Sequence, residues 1–230
     1  MDIKLPLIDD RLYLAASLVR DGAVVADVGT DHAYIPIFLI NSGKCPGAIA
    51  SDVNEGPLER AKAHAEKYGI EDEITFCLTD GLKGLPLEEN DVKDIIICGM
   101  GGELIADIID GNDYTKKTVV HLILQPMTKP EKLREYLSRE GFREIGGGAV
   151  KADKVYQCIM CEYTGEPYSL TPAELMVGKN ESIRSSEYFP LLLDKYIKMT
   201  EKKLKSKERE AAENLIRELS EMKNDSNRVL

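Results

Sequence analysis

Apolar runs alternate with segments of helical periodicity over the first 165 residues. The apolar runs predict five buried strands, at residues 23–28, 47–53, 73–78, 92–100 and 118–126. Helical spacing with capping residues predicts helices at residues 9–20, 32–41, 56–69, 101–110 and 129–141. Because each strand is a continuous apolar run, we expect a mostly parallel sheet covered by helices on both faces.

The pattern changes after the fifth helix. Residues 142–150 and 154–163 predict a hairpin that turns at residues 151–153, and residues 171–185 predict a short capped helix. Residues 186–223 are mostly helical in pattern and highly charged. A narrow apolar stripe typical of a helical hairpin or a short coiled coil contains Leu204, Ala211, Leu215, Leu219 and Met222. We therefore predict an α/β domain at residues 1–165 and a helical, coiled-coil-like domain at residues 166–230.

Composition and charge narrow the possible functions. Hydrophobic residues make up 43% of the chain, and no stretch approaches the ~20 apolar residues of a membrane span. Residues 1–14 carry acids where a signal peptide has a basic region, so we expect a cytoplasmic protein without membrane contact. The net charge is −10, and residues 166–230 hold 12 acids and 12 bases. Residues 1–165 therefore carry the whole negative excess, and a polyanion would need local basic clusters.

The five cysteines predict reduced thiols and no metal site. Cys158 and Cys161 form a C-x-x-C, but they stand within the alternating pattern of a predicted strand. No second pair of Cys or His lies nearby to complete a zinc site.

Two carboxylates flank the glycine that ends the first strand. Asp27, Gly29 and Asp31 lie where a nucleotide-binding sheet usually holds a phosphate, but a carboxylate repels a phosphate and attracts a cation. S-adenosylmethionine presents a sulfonium and an ammonium, so we assign its binding to these residues with Thr30 and His32. Asp31 could instead cap the helix expected to begin at His32. The G-x-G-x-x-G pattern of dehydrogenases is absent.

The next two strand ends also carry acids. Asp52, followed by Val53 and Asn54, lies where a carboxylate receives ribose hydroxyls, and this position suits both NAD and S-adenosylmethionine. Asp80 could accept a hydrogen bond from adenine N6 with Gly81 making the turn, although a D-G pair is also an ordinary turn. Three acids on three consecutive strand ends together indicate a methyltransferase.

The fourth and fifth strand ends offer backbone groups and an amide. The run Gly99, Met100, Gly101 and Gly102 supplies no polar side chain, which leaves main-chain groups and space for a flat base, or else a flexible joint. Gln125 and Pro126 face the same predicted crevice.

These motifs, in this order, resemble the bacterial tRNA adenine-22 N1-methyltransferases of the TrmK type. The resemblance is carried by ADVGTDHAYIP, IASDVN, TDGL, CGMGGELI and LILQP, and it runs over nearly the whole chain. It implies a Rossmann-like class I methyltransferase domain, a coiled-coil-like C-terminal domain, S-adenosylmethionine as cofactor and tRNA as partner. One departure is Met127, where the family usually has Asn after Gln-Pro.

The resemblance and the chemistry of adenine N1 together assign roles to individual residues. Adenine N1 has an in-plane lone pair, so positioning matters more than a strong base. The candidate catalytic residues are Asp31, Gly99, Met100, Gly101 and Gly102. The candidate substrate-binding residues are Tyr34, Gln125, Pro126 and Lys129. Candidate RNA-contacting basic stretches are residues 116–117, 129–134 and 202–209, although the last is also typical of a solvated helix face.

Two other functions fit the same fold. One is a small-molecule N-methyltransferase, which the absence of an obvious lid insertion disfavours. The other is an S-adenosylmethionine-binding protein whose helical tail engages a protein partner, which the narrow apolar stripe favours. The tRNA enzyme requires no protein partner.

Overall fold

A computed structural model describes residues 5–205 and 207–229, with side chains only to residue 226 in the last helix. The two predicted domain ranges also include residues 1–4, 206 and 230, which lie outside the described residues. In the described chain, no helix is both long and apolar enough to cross a membrane.

One seven-stranded sheet forms the centre of the fold, with the strand order β3-β2-β1-β4-β5-β7-β6. The strands are β1 Val25–Val28, β2 Ala48–Asp52, β3 Ile74–Leu78, β4 Asp94–Gly101, β5 His121–Thr128, β6 Phe142–Lys151 and β7 Val155–Tyr163. The first five strands are parallel, and β7 runs antiparallel to both β5 and β6. The predicted parallel α/β sheet and the predicted hairpin are both confirmed.

Helices cover both faces of the sheet. They are α1 Asp10–Leu18, α2 Tyr34–Asn41, α3 Glu55–Tyr68, α4 Gly102–Asp110, α5 Pro130–Glu140, α6 Pro172–Val177, α7 Glu181–Arg184, α8 Phe189–Glu201 and α9 Arg209–Val229. On one face, α1 and α2 bury Ala15 and Leu39 against the sheet, and α3 packs beside α2. On the other face, α4 and α5 bury Ile105 and Leu133. This burial on both faces explains why the strands are apolar throughout.

The first strand–helix junction differs from the sequence prediction. The helix predicted from residue 32 begins at Tyr34, because His32 and Ala33 both have left-handed backbone conformations, with φ of 64° and 49°. A left-handed residue cannot continue an α-helix. Asp31 therefore does not cap α2, and the capping alternative for this residue was wrong.

The C-terminal segment differs in detail from its pattern. The helix predicted at residues 171–185 is two helices, α6 and α7, because Gly178 breaks the segment with a φ of 77°. Helices α8 and α9 pack together as the predicted hairpin, and Leu215 and Leu219 lie in a core shared with α6 and α8. Ala212 is buried on this face, whereas Ala211 is exposed. The prediction that Ala211 belongs to the apolar stripe was therefore wrong by one residue.

A buried ion pair ties α5 to the segment that follows the hairpin. Arg134 has no exposed surface, and its Nε donates to Glu144 Oε1 at 2.5 Å. Its Nη1 donates to the carbonyl of Met176 at 3.1 Å, near the end of α6. Arg134 was included in a basic stretch expected to contact RNA. Its burial makes that role wrong for this residue.

Candidate active site

A cavity of about 380 Å³ opens at the carboxyl edge of the parallel strands. This is the edge where ligands bind in open α/β sheets. Its walls come from α1, the β1–α2 junction and the ends of β2 and β4. They include Asp9, Arg11, Leu12, Asp27, Gly29, Asp31, Tyr34, Ile35, Asp52, Cys98, Gly99 and Met100. The structure thus brings together several, though not all, of the residues that the sequence singled out.

Gly29 makes the turn that lets the backbone line this cavity. Its φ is 77°, and its amide and that of Thr30 both donate to the carbonyl of Ser51 at 2.8 Å. A Cβ at this position would lie 2.0 Å from Cε of Met100. Any side chain here would therefore be strained in its backbone and would displace Met100 within the cavity.

Asp27 is the most unusual charged group of the site. Its side chain is buried, with 6% of the residue exposed, and no Lys, Arg or His of the described residues forms an ion pair with it. Burial raises the pKa of its carboxyl to about 6, the charge of Asp52 adds to the rise, and the Thr30 side chain partly opposes it. A buried carboxylate that lacks a cationic partner is a favourable site for a cationic ligand.

Asp31 lies at the outer rim of the cavity and is mostly exposed. Its Oδ1 is 3.1 Å from Nη2 of Arg60 and 3.6 Å from Nε2 of His32. His64 Nδ1 lies 2.7 Å from the carbonyl oxygen of His32, so α3 supports the left-handed turn. Tyr34 lines the cavity, and its ring packs edge-to-face on His64 with centroids 5.0 Å apart.

The second and third strand ends differ in their relation to the cavity. Asp52 lines it and accepts a hydrogen bond from the amide of Asn54 at 2.7 Å. Val53 and Asn54 are exposed beside it. Asp80 is exposed outside the lining, and its Oδ2 is 2.6 Å from Nζ of Lys83.

Two glycines near the strand ends have packing neighbours outside the cavity lining. A Cβ on Gly81 would lie 3.3 Å from Ile108 of α4. Gly102, the first residue of α4, has no room for a side chain because a Cβ would lie 2.2 Å from the carbonyl oxygen of Lys129. Gly102 therefore permits the close approach of α4 and α5.

The fourth strand ends at Gly101, one residue beyond the predicted end, and so includes most of the glycine run. Met100 pairs with Pro126 and Gly101 with Thr128, and the register shifts between Cys98 and Met100. The irregularity leaves Gly99 with a φ of 80° and directs it into the cavity. Such a bulge re-aims the backbone at the end of a strand.

Gln125 and Arg11 connect the fifth strand to the cavity. Gln125 is fully buried, and its Oε1 accepts hydrogen bonds from Arg11 Nη1 at 2.9 Å and from the amide of Gly99 at 3.2 Å. Arg11 Nη1 also lies 3.6 Å from Sδ of Met127, and Nη2 pairs with Asp9 at 3.0 Å. The amide of Gln125 therefore holds the bulge at Gly99 and the guanidinium in the cavity wall.

Of the four predicted substrate-binding residues, only Tyr34 lines the cavity; Gln125, Pro126 and Lys129 lie outside the lining. Pro126 is buried within β5. Lys129 precedes α5 with a φ of 52° and pairs its ammonium with Glu103. Its side chain is exposed on the same edge of the molecule, where β5 ends.

Asp9 and Arg11 were missed as site residues by sequence reasoning. The sequence indicated Asp9 only as a helix cap, and its carboxylate does accept from the amide of Leu12 at 2.9 Å. No local pattern reveals that α1 packs across β4, β5, β6 and β7 and so brings Arg11 to the cavity. All five cysteines are free, and no cluster of three or more metal-ligating side chains occurs in the described residues.

The chain is similar to known methyltransferases in sequence and in fold. The sequence profile described as a methyltransferase domain matches residues 8–160. A tRNA (adenine(22)-N(1))-methyltransferase from Bacillus subtilis strain 168 is 37% identical over 153 residues, which are 66% of this chain and 63% of that protein. The chain thus aligns with less than two thirds of the length of that curated relative.

Solved structures extend the similarity to the C-terminal helices. A protein of the NADB-Rossmann superfamily from Streptococcus agalactiae has a TM-score of 0.86 and 30% identity, covering 96% of this chain and all of its own. A Streptococcus pneumoniae protein, proposed to be a tRNA (m1A22) methyltransferase and solved in complex with S-adenosyl-L-methionine, has a TM-score of 0.82 and 33% identity. That match covers 94% of this chain and 100% of the other.

Proposed function

This chain belongs to the TrmK-type family of tRNA (adenine-22 N1)-methyltransferases, and on that premise we propose that it transfers a methyl group from S-adenosyl-L-methionine to N1 of adenosine 22 in tRNA. The observation that carries the proposal is the buried Asp27 carboxylate, without a cationic partner among the described residues, beside the glycine turn of the cavity. A ligand phosphate placed at this turn would be repelled by that charge, whereas a cationic group would be attracted.

The residues of the cavity fit the cofactor. Asp27 supplies a negative charge for the ammonium or sulfonium, and Asp52 stands at the end of β2, where ribose hydroxyls can donate to it. Gly29 and Asp31 line the same space, and we propose that Thr30 and His32 of the same turn also contact the cofactor. We propose the remaining cofactor contacts at Val53, Asn54, Asp80, Gly81 and Gly99. The Oδ2 atom of Asp80 contacts Lys83, so Oδ1 is the oxygen that we propose accepts from adenine N6.

The chemistry requires orientation and exclusion of water more than proton transfer. The bound cofactor supplies an electrophilic methyl group, and adenine N1 supplies a lone pair without losing a proton. We propose that the bulged backbone of Gly99, Met100, Gly101 and Gly102 orients the base. Because the amide of Gly99 already donates to Gln125, and Met100 and Gly101 pair with β5, we propose that the carbonyl of Gly99 is the group of this run that contacts the base.

The remaining contacts place charge and aromatic surface near the reacting ring. Methylation leaves a positive charge on the base, and the exposed carboxylate of Asp31 at the rim can stabilise that charge as it develops. Tyr34 offers a ring in the cavity wall against which an unstacked base can pack. We propose that Gln125, Pro126 and Lys129 form the wall on the substrate side.

The organisation of the chain is part of the same proposal. We propose a catalytic domain at residues 1–165 and a helical domain at residues 166–230, although Ala149 and Val155 of the hairpin pack in the core of the helical part. Leu215 and Leu219 pack against this same core, so that part of the apolar stripe is not free for a protein partner. A cytoplasmic location accords with free cysteines and with tRNA as substrate.

The experiment is methyl transfer from labelled S-adenosylmethionine to unmodified tRNA, followed by nucleoside analysis. We expect labelled 1-methyladenosine, and we expect the label to disappear when the adenosine at position 22 is replaced. The same assay with small amines tests the small-molecule alternative. Transfer to amines but not to tRNA, with cofactor binding intact, would contradict the tRNA function and leave the cofactor site standing.

A further inference from the structure

Five lysines near the cavity have no carboxylate partner among the described residues. They lie at the turn between β6 and β7 and along α8, and we call them the lysine patch: Lys151, Lys154, Lys195, Lys198 and Lys202. At the opposite edge of the sheet, by contrast, Lys93, Lys116 and Lys117 each pair with a carboxylate. The patch therefore concentrates unneutralised positive charge in a protein with a net charge of −10.

The register of the sheet places the turn at the same edge as the cavity. Strand β7 is antiparallel to β5, so β7 begins where β5 ends, and Lys151 pairs with Val155 at this end. The ring of Tyr156 joins the two regions. The Arg11 guanidinium of the cavity wall lies 5.7 Å from its centroid, and Nζ of Lys195 lies 5.4 Å from it. The ring of Tyr156 therefore lies between Arg11 of the cavity wall and Lys195 of the lysine patch.

Helix α8 extends the patch beyond the hairpin. Just before the helix, Ser186 Oγ donates to the carbonyl of Ala149 at 2.7 Å, and within the helix Lys195 Nζ donates to the carbonyl of Val155 at 2.7 Å. The helix therefore runs along the hairpin toward its turn. Lys198 and Lys202 follow Lys195 by three and seven residues, which places them on the same helix face and farther along that direction.

The electrostatics of the patch favour an anion. Lys195 is partly buried, and this burial lowers the pKa of its ammonium. The nearby positive charge of Lys154 lowers the pKa further, by a smaller amount. Two of the acids around the patch are already engaged: Asp153 accepts from the hydroxyl of Tyr156 at 2.9 Å, and Asp194 pairs with Lys223 at 2.5 Å. Glu201, at the end of α8, adds one exposed negative charge beside Lys202, so the five lysines still leave a positive excess. A bound phosphate would relieve the repulsion between neighbouring ammonium groups.

We propose that the lysine patch binds backbone phosphates of the RNA substrate on the α8 side of the target nucleoside. This inference rests on the proposed function, since it assigns a surface to the tRNA of that reaction. A sugar–phosphate backbone suits the patch because it presents successive negative charges along a strand, as the lysines present successive positive charges along the turn and the helix. The sequence analysis assigned such contacts to the charged segment from residue 202 onward. The structure indicates that the hairpin turn and α8 belong to the same basic surface.

The test compares two quadruple variants that remove equal charge. The patch variant carries K151Q, K154Q, K198Q and K202Q, and it keeps Lys195 because its ammonium lies over the rings of Tyr156 and Tyr196 and donates to the carbonyl of Val155. The control variant carries K67Q, K93Q, R139Q and R143Q, whose residues lie at the amino edge of the sheet and outside every basic stretch that the sequence assigns to RNA. Measurements are the Kd for unmodified tRNA as a function of salt, the steady-state constants of methyl transfer, and the Kd for S-adenosylmethionine.

We expect the patch variant to bind tRNA at least about tenfold more weakly, with a salt slope reduced by about 3, because each phosphate contact contributes nearly one unit to the slope. KM for tRNA should rise while the Kd for S-adenosylmethionine stays unchanged. Equal losses in the patch and control variants would overturn the proposal and direct the search to an acidic protein partner. If the wild-type protein binds tRNA without methylating it, the proposed function is refuted. The comparison of tRNA affinity between the patch and control variants would still test whether the lysine patch binds RNA.

Discussion

Replacing Asp27 by Asn should stabilise the protein without cofactor and weaken its binding of S-adenosylmethionine. Both effects follow from one feature, a buried carboxylate that has no ion-pair partner in the described part of the chain. Asn has nearly the same shape and carries no charge, so the substitution removes the electrostatic cost while leaving the packing of the cavity in place.

The stability change can be sized from the pKa. Burial raises the pKa of Asp27 from 3.8 to about 6, a shift of about two units, which corresponds to about 3 kcal/mol. Because the folded pKa is the higher one, the folded state binds the proton more tightly, and stability is lost as the pH rises from about 4 through 6. At pH 7 the Asn variant should therefore be more stable by about 1–3 kcal/mol, with the unmet hydrogen bonds of its amide reducing the gain.

Cofactor binding should respond in the opposite direction. The ionised carboxylate attracts the sulfonium and ammonium, whereas the protonated one does not, so the affinity of the wild-type protein should rise with pH up to about 6. With a pKa of about 6 in the free protein, the Kd should be about tenfold higher at pH 5 than at pH 7. The Asn variant should bind more weakly at pH 7 and lose most of this pH dependence.

Urea unfolding without cofactor and calorimetric titration with S-adenosylmethionine, each at several pH values, measure the two effects. Asp31→Asn is the matched control, since that carboxylate is exposed and paired with Arg60, and its loss should leave the pH dependence intact. The reasoning is refuted if Asp27→Asn destabilises the protein at pH 7, or if it retains the pH dependence of cofactor affinity.

Three further tests probe separate parts of the site and fold. Gly29→Ala and Gly22→Ala should each lower the free energy of unfolding in urea by about 1–2 kcal/mol, because both residues have a positive φ. Only Gly29→Ala should weaken cofactor binding in titrations, because a Cβ at Gly29 meets Met100 in the cavity whereas a Cβ at Gly22 meets no atom within 4 Å. Equal cofactor affinities of the two variants would contradict this steric argument. Asp80→Ala should weaken cofactor binding about fivefold if its carboxylate accepts from adenine N6, and an unchanged Kd would exclude that contact. Arg134→Met should lower the free energy of unfolding in urea by about 3–5 kcal/mol, because it leaves the Glu144 carboxylate buried without its cation. Adding Glu144→Leu should restore much of the lost stability. No recovery of stability in the double variant would refute this account.

The sequence predicted the order of the elements and the residues at the strand ends. Apolar runs mark strands that are buried on both faces, and an acid or glycine directly after such a run lies at the carboxyl edge wherever the helices pack. For this reason the residue pattern alone assigns Asp27, Gly29, Asp52 and Gly99 to one edge of the sheet, and all four line the cavity.

Local geometry at the junctions was harder to predict. Nothing in the residue types of His32 and Ala33 signals left-handed backbone, because both accept a helical conformation when no tertiary contact prevents it. Their conformation accompanies the packing of α2 and α3 around the turn, including the contact between His64 and the carbonyl of His32. Likewise, the bulge at Gly99 depends on the pairing of β4 with β5 and on the amide of Gln125.

By itself the sequence determined the parallel sheet, the hairpin, the family and the acidic character of the cavity, because each follows from residues close together in the chain. Only the tertiary structure decided which distant charges meet. It brought Arg11 to Gln125, buried Arg134 against Glu144, left Asp27 without a cation among the described residues and gathered the lysines of the hairpin and α8. The physical reason is that the energy of a charge depends on its burial and its neighbours, and these are set by the packing of elements far apart in sequence.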